Sequence, residues 1–418
     1  LKYIMKFSSQ SEHFVERLIK KVDLVRYSKT NEEELVYNTC IHSLIDDLIA
    51  GDHYASQVIS KKLIKTDITK IHAVQQIPKP YGFNSHYLPD KIRKSIEESA
   101  SYHIQFKFKI QKRNIVLHFI TMDEPSSVKM LKYNDYAKMA IIWLYMAGMH
   151  ASKMCSTTLN IYVYLTDFKK VLPDNNIHVI DAININSGLS DVCRKSGEIV
   201  IYRKEEWFKV LIHETFHNFG LDFAAMDIGI LKTKIRKLFP VKSQMLAFEC
   251  YTELWAEIIN CLFCSYTLID NKTDKDSLFL YFNFILEFER IFSLFQMIKF
   301  LNFMGLTYHD ILHSSKSDIA HHLYKEKTHV FPYFILKAIL MNNVKSFIIW
   351  CYNTNINLLR FSQNNKSLLS FYDLIKQNYQ SNVLFENIKL IEKFMKTLNK
   401  SSEHKLIMTS RMSICELV

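Results

Sequence analysis

The sequence predicts an α+β fold, mainly helical with one small mixed sheet, and three patterns carry that prediction. Ile104, Phe106, Phe108 and Ile110 alternate with polar residues, the period-two spacing of a strand with one buried face. Ile161, Val163 and Leu165 repeat the pattern. Beyond Phe223 the apolar residues recur at helical spacing almost to the end of the chain.

Taken in order, residues 12–23 and 32–50 have helical patterns, and 77–89 contains the prolines of a connector, so residues 1–95 read as a helical lobe or pro-segment. Residues 96–225 form the next subdomain. A strand from residue 102 turns at Lys112-Arg113 and returns over 115–120 as a hairpin. An apolar helix at 136–151, a strand at 159–165, a loop at 184–190, a strand at 198–202 and a helix at 205–219 follow, the last stopped by Gly220. The strand at 198–202 is expected to be the sheet edge. Residues 226–400 read as a helical subdomain, with helices at 247–266, 277–303, 308–314, 331–341, 344–352, 368–378 and 383–398. Residues 401–418 lack periodicity and read as a loosely held tail.

Bulk properties exclude several function classes. With 48% hydrophobic residues over 418 positions, a large core is available. The formal charge of +11 is spread along the chain, so no specific nucleic-acid partner is expected. Eight cysteines are too few for a disulfide-built secreted domain, and Cys261-x-x-Cys264 lies in an apolar helical run, which reads as buried thiols in a reducing, cytoplasmic setting. The first 21 residues mix charge and polarity without a continuous apolar run, so no signal peptide is expected there. Charges interrupt the apolar runs at 279–304 and 331–350, so no membrane span is expected.

The chemistry concentrates at His213-Glu214-Thr215-Phe216-His217. Residues four apart share a helix face, so His213 and His217 can present two imidazoles to one metal ion with Glu214 beside them, the first half of a zinc hydrolase site. A catalytic zinc needs a third protein ligand. Metzincin spacing would place it at position 223, which is Phe; Asp222 is one residue out of register. Glu249, Glu253 and Glu257 instead lie at i, i+4 and i+8 on one helical stripe, where a divalent metal would compensate their charge.

His213, Glu214, His217 and the glutamate stripe resemble the HExxH zinc metallopeptidases of the gluzincin type over residues 100–265. With the segment 328–333 and the Asn/Lys/Ile-rich composition, the chain more faintly resembles uncharacterised metalloproteases of large DNA viruses. The resemblance implies a zincin-like fold, Zn2+ held by His213, His217 and Glu253, and Glu257 behind the first histidine. If Glu249 is the ligand, Glu253 takes that supporting role. It further implies Glu214 as general base, a peptide or protein substrate, and a Tyr or His donor from the C-terminal lobe, for which Tyr333 and His329 are the candidates, with Tyr308 and His309 behind them. A viral source would put the protein in the host cytoplasm or the virion, with a virion or host protein as a further partner. The alternative is a catalytically inactive zincin-fold structural protein, which would have no use for Glu214. Cys40 is read as a buried thiol rather than a switch on the metal.

Overall fold

The computed structural model describes residues 7–19, 22–312, 317–399 and 402–417. Its sheet has six strands: β1 (Lys65–Lys70), β2 (Tyr102–Ile110), β3 (Arg113–Thr121), β4 (Thr158–Tyr164), β5 (Gly188–Ser190) and β6 (Ser196–Ile201). They lie in the order β1-β2-β3-β4-β6-β5. β3, β4 and β6 are parallel neighbours, while β1, β2 and β5 pair antiparallel, giving a mixed open sheet.

The pleat sorts the side chains. Phe106 pairs with Leu117, Leu117 with Ile161, and Ile161 with Ile199, so one apolar row crosses four strands on the same face. All four are buried. The apolar helix Ser127–His150 and the histidine helix Trp207–Asn218 belong to the same core as this face. Ile120, Tyr164, Val200 and Tyr202 cluster instead with Ile77, Phe83, Leu88, Ile92 and Ile96.

Four expectations change. Residues 1–95 are not a separate lobe, because β1 extends the sheet beside β2 and the segment from Ile77 to Ile96 covers sheet residues. The hairpin turns one residue earlier, at Gln111, whose φ of 53° supplies the left-handed step. The loop expected at 184–190 is a helical turn, Ala182–Ile185, followed by β5, and β5 rather than the strand at 198–202 is the edge. Periodicity could not reveal a three-residue strand. The last residues are also no loose tail: Ser413, Ile414 and Cys415 are buried and hydrogen-bond to the buried Glu289, so the segment is held by polar contacts that have no helical or strand period.

The C-terminal half is helical as expected, with the glutamate helix Ala247–Leu268, the long helix Lys275–Phe303 and the turn Phe331–Leu336 running into Lys337–Asn342. The core extends from Phe14 to Leu417. Among the described residues no single helix is long and apolar enough to cross a membrane.

Candidate metal centre

All twelve residues of the histidine helix are buried, and Lys209, His213 and His217 follow one another at single-turn spacing. The helix ends where the sequence predicts. The Gly220 N–H donates to His217 O at 3.1 Å and the Leu221 N–H to Phe216 O at 2.9 Å, with Gly220 at φ +64°, a Schellman stop. A Cβ on Gly220 would meet Cys155 Sγ at 3.1 Å. That sulfur is bonded to Cys193, a pairing not expected from the sequence, which favoured a reducing setting: one disulfide sits against the end of this helix, joining residues 38 apart whose proximity only the fold creates. The other six cysteines are free and buried, Cys261 and Cys264 among them. Burial pushes the Cys40 thiol up to about 11.

His213 and His217 turn their Nε2 atoms toward one point, 3.2 Å apart. Glu249, in the first turn of the glutamate helix, completes a triangle: its Oε2 is 3.2 Å from His213 Nε2 and 3.5 Å from His217 Nε2. Zinc bonds of about 2.0–2.1 Å in a tetrahedron imply ligand–ligand edges of roughly 3.3 Å, so this spacing suits one metal ion. His213, His217 and Glu249 are the one group of three or more such side chains, among the described residues, that could hold an ion.

The outer nitrogens of both rings are anchored by carboxylates. Glu253 Oε2 accepts from His213 Nδ1 at 2.9 Å, and Asp222 Oδ2 accepts from His217 Nδ1. Such partners leave the Nε2 lone pairs for a metal. It is Glu249, and not the expected Glu253, whose oxygen lies within reach of both Nε2 atoms. Both Glu253 oxygens are engaged, one by His213 and the other by the buried Lys209 ammonium. Glu257, expected behind the first histidine, is one turn further away and is held by Lys337 Nζ at 2.6 Å. Asp222 is outside the triangle and is hydrogen-bonded to His217 instead.

Around this triangle, the Ser190 hydroxyl at the end of β5 donates to Glu214 Oε2 at 2.7 Å. Gly188 permits that approach, since a Cβ there would meet Glu214 Oε1 at 2.8 Å and Val210 Cγ1 at 2.7 Å. Tyr333 donates its hydroxyl to Glu249 Oε2 at 2.7 Å, and His329 Nδ1 lies 3.6 Å from Glu249 Oε1, so both C-terminal candidates reach the site. Tyr308 and His309 do not: the Tyr308 hydroxyl donates to Tyr379 O and His309 stacks on Phe385. A cleft of about 240 Å³ opens here, bounded by residues that include Tyr87, Ser190, Phe248 and the triangle itself.

Electrostatics follow burial and pairing. Burial raises the Glu214 carboxyl above the usual carboxylate range, only partly opposed by the two histidines and Ser190. For His213 and His217 burial favours the neutral ring, yet their carboxylate partners outweigh it and raise both. Burial likewise disfavours the Glu249 carboxylate, but His217 and His213 bring it well below its ordinary value.

Ser190, Lys209 and Lys337 escaped the sequence reading, and Asp222 was weighed there as a ligand rather than as the partner of His217. Lys209 left one signal, a lysine one turn before His213 within an apolar helix; Ser190 and Lys337 meet the site only through tertiary contacts. Comparison of the chain with family models, with curated proteins and with solved structures found no match in any of the three, so the geometry of the site is what its function can be argued from.

Proposed function

We propose that the chain is a zinc-dependent metallopeptidase with a zincin-like fold, its ion held by His213, His217 and Glu249. The observation that carries this reading is the triangle of ligand atoms with edges of 3.2–3.5 Å, backed by Glu253 and Asp222 and flanked by Glu214. Zinc, when bound there, supplies a Lewis acid that polarises a carbonyl and acidifies water.

The chain's own residues do the rest. Glu214, its proton affinity raised by burial, takes the proton of the attacking water and passes it to the leaving amine. Ser190 orients it through Oε2. Tyr333, whose hydroxyl rests on Glu249 Oε2, is the donor for the negative oxygen that develops at the scissile carbonyl once that bond is given up, with His329 behind it. The β5 edge, whose pairing within the sheet is with β6, offers backbone groups to an extended peptide.

The test is metal analysis and a peptide-library cleavage assay on the purified chain and on Glu214→Gln. Stoichiometric zinc is expected in both, with turnover in the parent falling about 10²–10⁴-fold in the variant. A parent that retains no zinc, or equal cleavage by the two proteins, would reject the assignment.

A further inference from the structure

Beside the cleft lies a recess of about 30 Å³ that shares Asn186, Gly188, His213, Glu214 and Tyr333 with it. The rest of its lining includes Lys170, Ser187, Lys209 and Met412. We propose that this recess is a specificity pocket for an acceptor oxygen on a short stem next to the scissile bond: the carboxylate or carboxamide of Asp or Asn, or the substrate's terminal carboxylate. The proposal rests on the peptidase reading above.

Three observations support it. First, the recess is rich in donors. Each lysine ammonium has three N–H groups, and the partners that meet these two are Glu206 for Lys170 and Glu253 with the weak acceptor Met412 Sδ for Lys209. Second, its carboxylates are already engaged, Glu253 through both oxygens and Glu214 through Oε2. Third, Ser187 is 4% exposed and its hydroxyl is buried without a hydrogen-bond partner among the described residues. Buried polar groups are rarely left unmatched, and those that are often await a ligand or water.

Size and chemistry then select the occupant. A water needs roughly 10–15 Å³ of such space, so the recess holds about two waters or one carboxyl or carboxamide group, and no aromatic ring. An apolar side chain would displace water from Ser187 and the two ammonium groups and return no acceptor. Sites built to hydrogen-bond a substrate discriminate strongly against analogues that cannot do so.

The experiment uses the zinc-loaded full chain, a library of decapeptides with both ends blocked, and the same library with free C-termini. Binding of acetyl-Ala-Ala-Asp-Ala-Ala-amide and its Leu counterpart to Glu214→Gln is measured alongside by calorimetry. We expect at least about a tenfold preference in kcat/KM for Asp or Asn beside the cut over Leu or Phe, and a similar ratio in binding, both collapsing toward one in Ser187→Val. Ser187→Ala serves if that variant does not fold. Preference confined to free C-termini would assign the pocket to the terminal carboxylate. Cleavage that ignores the Asp-for-Leu exchange and the Ser187 variants overturns the pocket and leaves the peptidase intact. Preferential binding without cleavage of any peptide keeps the pocket and removes the peptidase. Absence of any difference in both assays overturns the pocket.

Discussion

Glu249 and Glu257 stand two turns apart on one helix, both buried, and their charges are met in opposite ways. Glu257 has a permanent cation beside it, Lys337 Nζ at 2.6 Å, which opposes but does not cancel the burial that raises its carboxyl well above the ordinary range. Glu249 faces two imidazoles, a phenol and, at 3.6 Å, a third imidazole, but among the described residues no lysine or arginine is paired with it. A buried carboxylate without a fixed counter-charge is costly. The first arrangement is a structural ion pair; the second leaves the positive charge to come from protons or from a metal ion.

The largest expected effect is at the metal end. Glu249→Gln should abolish stoichiometric zinc retention on dialysis, whereas Glu253→Gln, which weakens the support of His213 and removes the charge that faces Lys209, should lower zinc affinity by about 10–100-fold. Equal losses in the two variants, read by metal analysis, would contradict the division of roles between them.

At the other end, Lys337→Met leaves Glu257 buried and unpaired and should destabilise the fold by about 3–5 kcal/mol in denaturant unfolding. Adding Glu257→Leu should recover most of that loss, since an apolar pair of similar volume replaces a desolvated ion pair. Zinc retention should be unchanged in the double variant. Loss of zinc there would mean that the two ends are coupled.

His118 sharpens the contrast, being a buried imidazole hydrogen-bonded to His103 rather than to a carboxylate. Burial, with His103 adding to it, lowers this ring to about 4, opposite in direction to His213 and His217. Its native form stays neutral while the unfolded chain takes up a proton below about 6.5. Stability should therefore fall as pH drops from about 6.5 to about 4. His118→Gln should flatten that slope by about 2 kcal/mol, the full shift being discounted for partial solvent access. Parallel pH profiles for parent and variant would show that the ring is not held neutral.

Legibility in the sequence followed the range of the interactions. The paired histidines, the Gly220 stop, the hairpin and the glutamate stripe were all readable, because helix and strand periods are local properties. Ser190 was hidden, since β5 has three residues and no detectable period. The C-terminal segment was misread because its order comes from Glu289 and Glu206, far away in the chain.

By itself, then, the sequence determined which residue types share a helical face: two imidazoles with a neighbouring carboxylate on one helix, three stacked carboxylates on another. Only the tertiary structure decided which carboxylate meets the imidazoles. About one turn of axial slide, roughly 6 Å for four residues, separates Glu249 from Glu253, and periodicity is blind to a shift by its own repeat. Packing across the two helices sets that slide, through Phe216 against Tyr251 and Trp255, together with the Lys209 and Lys337 ammonium groups that claim the next two carboxylates in the stripe.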